Sequence, residues 1–305
     1  MILAAATKVC RRGAIALAAV CAACSGTSNT YQPAALTAEQ KAKCKTAEAA
    51  YRAGSDDYPG LRAELAADPT TACWLTRMVI HDLLTVREGR PLGEDQDLMR
   101  AAARITNPVE TRALAEIDAL GAVAVPTLVG DLLLHHQPQP RELGIELLAR
   151  VGAPALPAVQ EVARTGEPRQ RRAAARTMGA IGVDATVLAM LAQMANDEDY
   201  TVRADALRSL RSGGDEAQRL LVEKLRADPD PFVRRVAAQT LAYHPGQASS
   251  LALVDYLERC ERERDFPGEK AAQASLQRLT ASRGFQTPAQ WRVTLRNPDE
   301  VGGKR

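Results

Sequence analysis

Aromatic side chains make up only 4% of the 305 residues, although 46% of the chain is hydrophobic. The core must therefore be built mainly from Ala, Leu and Val, which favour closely packed small helices over a β-sandwich. This apolar content is also far above that of a disordered chain. The composition predicts an all-α fold with a substantial core.

A strong excess of charge of one sign is also absent. The formal net charge is +2, and residues 1–23 contribute three basic side chains (Lys8, Arg11 and Arg12) and no acidic one. The rest of the chain therefore has a net charge of −1. Because nucleic-acid-binding domains are usually strongly basic, we expect no nucleic-acid partner.

The patterns that identify common catalytic sites are missing. The sequence has no His-Glu-x-x-His zinc motif, no Gly-x-Ser-x-Gly elbow, no Walker loop and no dinucleotide-binding glycine pattern. His135 and His136 are adjacent, so on a helix they point about 100° apart and cannot share a metal ion. We expect these histidines, together with His81 and His244, to be surface or cap residues. No catalytic residue, metal or cofactor is expected.

No apolar run reads as a resident membrane-spanning helix. The short apolar stretch from Gly13 to Ala23 follows basic residues, and small residues precede Cys24. This arrangement resembles the signal peptide and lipobox of bacterial lipoproteins. The resemblance implies a signal peptide over residues 1–23 and a lipid on Cys24. It also implies a place in the bacterial cell envelope, at the outer membrane facing the periplasm.

Two alternatives remain open for this N-terminal segment. An ordinary secretory signal would release the chain without lipid, and a retained segment would leave it in the cytoplasm. The lipobox match departs from the usual pattern at Cys21, where Leu is common. Residues 24–35 are polar after the cysteine and are typical of a flexible tether between lipid and folded body.

The cysteines bear on the redox compartment, because an exported chain meets oxidising conditions. Cys44 and Cys73 lie on neighbouring predicted helices, so a disulfide between them is one interpretation and two free thiols the other. Cys260 would then remain a free thiol. Beyond residue 24 the chain has no Cys-x-x-Cys motif, and we therefore expect neither a zinc site nor a thiol redox centre.

A repeat of about 31 residues runs through the centre of the chain. Each unit reads as a short amphipathic helix, a turn and a second short helix. The turn residues are 31, 30, 32 and 31 positions apart: Gly121, Gly152, Gly182, Gly214 and Pro245. One such helix pair cannot bury its own apolar stripe, so the pairs must stack, which predicts an α-solenoid.

Two apolar columns keep register with the turns. A small residue stands eight positions before each turn and a large apolar residue stands four positions before it, so both lie on one helix face. The small column is Ala113, Gly144, Ala174, Ala206 and Ala237, and the large column is Ile117, Leu148, Met178, Leu210 and Leu241. Small residues let neighbouring helices approach closely. Helix breakers such as Asn107-Pro108 precede each first helix.

The segments Asp-Tyr-Thr-Val-Arg-Ala-Asp-Ala-Leu (199–207) and Asp-Pro-Phe-Val-Arg-Arg-Val-Ala-Ala (230–238) resemble HEAT-like repeats. They are most similar to the short variety first described in phycobilin lyases. The resemblance covers residues 107–260, which we interpret as five repeats. Related solenoids include bilin lyases and DNA glycosylases. Those enzymes are cytoplasmic, which conflicts with an export signal.

Eleven positions before four of the turns stands an arginine: Arg141, Arg171, Arg203 and Arg234. Glu110 takes this position in the first repeat. Such a ladder could bind phosphate or an acidic partner. The resemblance to HEAT-like repeats favours a structural role, in which each arginine pairs with an acidic or carbonyl group of the next unit.

Helical caps are expected on both sides of the repeats. Residues 36–106 form the N-terminal cap region, with helices from Thr37 to about Arg52, from Asp68 to Gly89 and over about 94–105, and Tyr51 and Trp74 are expected in its core. Residues 261–305 form the C-terminal capping helices and tail. Their sequence resembles the closing module of bacterial HEAT-repeat proteins, which implies that Phe285 and Trp291 cover the last repeat. A binding hot spot is the alternative for these two aromatics.

These observations favour a lipid-anchored, non-enzymatic scaffold that binds an unknown protein partner. The candidate contact residues lie on the second helices, where ordinary solvated side chains are the competing interpretation. They are Asp131, Gln160, Gln193, Lys224 and Asp255. The alternatives are a structural lipoprotein without a specific partner and a cytoplasmic HEAT-like protein with lyase or nucleic-acid-related activity.

Overall fold

The structure is a computed structural model that describes residues 36–87, 107–282 and 284–296, and every regular element in these ranges is a helix. Cys24, the tether and the helix predicted over 94–105 lie outside the described residues. The chain divides into two compact units, one ending at Val159 and the other beginning at Gln160. The predicted fold class, an all-α solenoid of stacked helix pairs, is confirmed.

The N-terminal unit opens with α1 (Ala38–Ala53), α2 (Tyr58–Ala66) and α3 (Pro69–Arg87). Helix α1 begins with a capping box, because Thr37 Oγ1 accepts a hydrogen bond from the Gln40 amide at 3.2 Å and Gln40 Oε1 accepts one from the Thr37 amide at 2.9 Å. Helix α2 was not predicted, although a proline in its first turn suits a helix start.

The same unit continues with α4 (Pro108–Leu120), α5 (Val125–Thr127, extended by a π-helical segment, Leu128–Leu133) and α6 (Pro138–Val151). Helix α7 (Leu156–Thr165) spans the boundary at Val159. In this unit α4 packs against both α3 and α6. Helices α4 to α7 form the first two repeats.

One described stretch, Pro108–Leu133, is long and apolar enough to cross a membrane by length and composition. Half of its apolar 18-residue window is buried inside the structure. Gly121, with a φ of +51°, breaks it into the two helices of one repeat. An L-residue with a side chain rarely adopts this φ, so the turn requires glycine here. The stretch is therefore a core helix pair of the repeat array.

The C-terminal unit consists of helices that alternate between two layers. The first-helix layer is formed by α8 (Pro168–Ile181), α10 (Tyr200–Ser209), α12 (Pro231–Leu241) and α14 (Phe266–Thr280), packed side by side in that order. The second helices are α9 (Ala185–Met194), α11 (Asp215–Ala227), α13 (Gln247–Glu263) and α15 (Pro288–Arg296).

The predicted helix breakers act as N-terminal caps. Asp199 Oδ1 accepts hydrogen bonds from the Thr201 amide at 2.8 Å and the Val202 amide at 3.3 Å, and Asp230 Oδ1 accepts one from the Phe232 amide at 2.8 Å. The Thr201 hydroxyl and these amides lower the pKa of Asp199 below its usual range. A cap of this kind contributes about 1 kcal/mol to stability. Each aspartate thus marks where a first helix begins.

The small and large columns form the core between neighbouring first helices. All the alanines of the small column, and all five members of the large column, have 0% of their surface exposed. At Gly144 the approach is closer still, because a Cβ there would lie 2.8 Å from Leu132 Cβ. The small residues therefore set the distance between successive repeats.

We expect Ala174→Leu to destabilise the chain by about 1–3 kcal/mol, because the added atoms have no room between α8 and its neighbour. The measurement is the midpoint of urea unfolding of the full chain, followed by circular dichroism. Ala180→Leu, on the exposed side of the same helix, is the matched control and should leave the midpoint nearly unchanged. Equal midpoints for the two variants would contradict this account of the small column.

Candidate interaction surfaces

The arginine column makes intramolecular hydrogen bonds in every repeat that carries it. One guanidinium nitrogen donates to carbonyls that end the preceding segment. Arg203 Nη1 donates to the Asp197 and Glu198 carbonyls at 3.0 and 3.3 Å, and Arg234 Nη1 donates to those of Asp228 and Pro229 at 3.0 Å each. Arg141 likewise binds the His135 and His136 carbonyls at 3.0 and 3.2 Å.

The other edge of the guanidinium reaches a carboxylate of the next repeat. Arg171 donates to both carboxylate oxygens of Asp197 at 2.8 and 2.7 Å, and Arg203 binds Asp228 in the same way at 2.9 and 3.0 Å. Asp197 thus accepts from Arg171 through its side chain and from Arg203 through its carbonyl. Asp228 likewise accepts from Arg203 through its carboxylate and from Arg234 through its carbonyl. The hydrogen bonds therefore continue from repeat to repeat.

These groups are largely removed from solvent. The side chains of Arg203 and Asp228 are 12% and 2% exposed. The hydrogen bond with Asp228 raises the pKa of Arg203, as the bond with Asp197 raises that of Arg171. A guanidinium already bonded along two edges offers few donors to an outside anion. The geometry therefore supports the structural role of the ladder over phosphate binding.

We expect Arg203→Gln to cost about 3 kcal/mol of unfolding free energy, because it leaves the buried Asp228 carboxylate without its counter-charge. The free energy is obtained from urea denaturation of the full chain. Arg164→Gln is the control, since the Arg164 side chain is 70% exposed in its pair with Glu161 and such pairs contribute about 0–1 kcal/mol. The structural account of the ladder fails if both variants lose the same small amount.

Most of the polar residues predicted on the second helices are engaged within the protein. Arg77 donates to both Asp131 oxygens at 2.6 and 2.9 Å. Lys224 Nζ donates to Asn196 at 2.6 Å, and Arg292 to Asp255 at 3.2 Å. Gln193 is exposed and Gln160 is half-buried. Three of the five candidates therefore stabilise their own unit.

The expectation that all histidines are surface or cap residues is wrong for His244. Its ring is buried, and Nε2 lies 3.0 Å from the Leu210 carbonyl, to which it donates when that nitrogen carries the proton. Burial lowers the pKa of His244 below its ordinary value. His244 fastens the turn after α12 to the end of α10. His81 is exposed, and the rings of His135 and His136 stack on each other.

The low pKa of His244 predicts a pH dependence of stability. The neutral ring stabilises the fold above its unfolded pKa of about 6.5, and this contribution is lost as the pH falls and the buried ring must take up a proton. The unfolding midpoint should therefore drop between pH 7 and pH 5. His244→Gln should flatten this dependence, whereas His81→Gln, at an exposed position, should not. Identical pH slopes for the two variants would contradict the assignment.

Of the two interpretations of Cys44 and Cys73, the structure has two buried free cysteines rather than a disulfide. The thiol of Cys73 on α3 makes a side-chain hydrogen bond with Thr127, which lies on α5 in the first repeat. Cys44 lies instead near Asp68, and burial raises its pKa. Cys44 on α1 and Cys73 on α3 therefore have different neighbours. Cys260 is also buried as a free thiol.

The expected aromatic pair of the C-terminal cap is only half present. Trp291 is fully buried and donates from its indole to Gln273 Oε1 at 2.9 Å. Phe285 is 75% exposed. The reason is that Gln273 Nε2 also donates to the Gln286 carbonyl at 2.6 Å, which ties the backbone of this segment to α14. The expectation that Phe285 covers the last repeat is therefore wrong.

Two open grooves of about 550 and 600 Å³ lie on the first-helix layer of the C-terminal unit, and both are lined by Tyr243. Six basic side chains and no acidic one line them. They are Arg176, Arg208, Arg211, Arg235, Lys270 and Arg278. The net charge of −1 over residues 24–305 concealed this excess. A count over α8, α10 and α12 gives eight arginines and one acidic residue, which indicates a basic layer but not which cations meet around Tyr243.

One family model agrees with the repeat architecture over part of the chain. Residues 126–211 match the family described as HEAT repeats. Seven chains of solved structure match; one is the crystal structure of an engineered protein, 22% identical, covering 68% of this chain and 99% of its own length, with a TM-score of 0.39. No curated protein matches. Residues 126–211 are thus similar to HEAT repeats, and such repeats suggest a scaffold for protein interaction.

Proposed function

We propose that the chain is a lipid-anchored, non-enzymatic scaffold of the bacterial envelope that binds a protein partner. Its repeats are of the short phycobilin-lyase type. HEAT-like repeats at residues 126–211 support the scaffold role, because solenoids present extended binding surfaces. The observation that carries the proposal is the pair of basic grooves, since a row of like charges on one surface does nothing for the stability of the helices beneath it.

The proposed anchor is the acylated thiol of Cys24. It is supported by the basic residues before Gly13, the short apolar stretch after them and the small residues at Ala22 and Ala23. Acyl chains would supply the membrane affinity, at about 0.8 kcal/mol per buried methylene. The polar residues up to Ala35 would then give the repeats some reach from the membrane.

The anchor is tested by the intact mass of the protein expressed from its own gene in a Gram-negative host. We expect a membrane-bound species that starts at Cys24 and carries a lipid mass increment. Cys24→Ser should abolish the increment, and Cys10→Ser, outside the lipobox, is the matched control that should keep it. A soluble chain starting at Met1 would contradict the anchor and favour the cytoplasmic alternative, with lyase or nucleic-acid-related activity.

The scaffold role is tested by photo-crosslinking in living cells. A photoreactive residue is placed at Gln239, which lines a groove, or at Gln193, on the second helix α9; both positions are exposed. We expect one discrete adduct of higher mass from position 239 and little from position 193. If neither position yields an adduct with another protein, the scaffold role is contradicted.

A further inference from the structure

We propose that the two basic grooves bind an extended, acidic segment of a polypeptide, through its side-chain carboxylates. This inference rests on the proposed function, because it assigns the chemistry of the protein partner. It concerns residues Arg211, Arg235, Lys270 and Arg278, together with Tyr243, which both grooves share. These are different arginines from those of the ladder.

The first observation is that four of the six cations in the grooves are not compensated locally, whereas Arg176 interacts within the protein. Among the described residues, no carboxylate forms an ion pair with Arg211, Arg235, Lys270 or Arg278. Arg208, by contrast, is paired with the buried Asp205. Cations held close together without counter-charges repel one another, and an anionic ligand relieves that repulsion.

The second observation is the arrangement around Tyr243. The guanidinium carbons of Arg211 and Arg278 lie 3.5 and 4.2 Å from the centre of its ring. Two guanidinium groups at these distances cannot share one face of the ring, so they lie on opposite faces. Stacking restricts each arginine and leaves the N–H groups in its plane available to a carboxylate. Arg211 and Arg278 are thus already oriented to bind a carboxylate.

The third observation is the length of the surface. The four uncompensated cations come from the turn after α10 (Arg211), from α12 and from α14, and these three helices pack side by side. At helix spacings of about 9 Å, such a row extends over about 18 Å. A fully extended peptide of about five residues has this length. A single phosphate or a small carboxylate would contact only one part of the row.

The lining also distinguishes a peptide from other anions. Ala242, Pro267, Ala271 and Ala274 provide apolar surface between the cations of one groove, which suits the aliphatic parts of a peptide. Both faces of Tyr243 are covered by guanidinium groups, so its ring cannot stack on a nucleobase, as single-strand-binding proteins require. These features favour a segment in which Asp or Glu alternates with small apolar residues.

The test uses the purified full chain and a fluorescent decapeptide of alternating Glu and Ala, with binding followed by anisotropy at low salt. A decapeptide of alternating Gln and Ala controls for charge. We expect the double variant Arg211→Gln/Arg278→Gln to weaken binding of the Glu peptide about tenfold. The control is Arg219→Gln/Arg262→Gln, which removes the same charge from the exposed sides of α11 and α13 and should change the affinity less than twofold.

Lys270→Gln, a single change at an exposed position, provides a second groove variant with little effect on folding. Equal affinity for the Glu and Gln peptides overturns the inference, and so does an equal loss in the groove and control variants. Tighter binding of a DNA duplex or of phosphatidylglycerol vesicles, abolished by the same groove variant, assigns the surface to phosphate and also overturns it. An adduct at Gln239 in cells would still uphold the scaffold role in either case.

Discussion

The bond between an arginine of one repeat and an aspartate of the next is the interaction on which the C-terminal unit most depends. Apolar columns such as Ala206 and Leu210 bring first helices together, but similar stripes could slide along one another. The guanidinium of Arg203 bonds to the carbonyl of Asp197 and to the carboxylate of Asp228, which fixes both the start of its helix and the register of the following repeat. The ladder therefore gives the stacked repeats a defined register.

Arginines have two separate roles in the C-terminal unit. Those of the ladder are largely buried and hydrogen-bonded to aspartates and carbonyls, so their charge is neutralised within the protein. Those around Tyr243 lie on the first-helix layer and face solvent with no described carboxylate beside them. The unit tolerates the repulsion between these surface cations, because the buried columns and the ladder stabilise it.

The architecture could be predicted because it depends on spacing. Turn residues 30 to 32 positions apart, and apolar residues four and eight positions before them, specify helix pairs that must stack. The groove could not be predicted in the same way. Arg211, Tyr243 and Arg278 occupy no common column, and only packing of α10, α12 and α14 brings them together. Phe285 was predicted wrongly because the hydrogen bond from the Gln273 side chain to the Gln286 carbonyl leaves no trace in an apolar pattern.

The most direct test of the ladder is hydrogen–deuterium exchange of the full chain, comparing the natural protein with Arg203→Gln. If the ladder couples the repeats, exchange should rise in α8 and α12 as well as in α10, since Arg203 shares Asp197 with Arg171 and Asp228 with Arg234. Faster exchange confined to α10 and the segment before it would contradict this account, because the arginine would then stabilise its own helix alone.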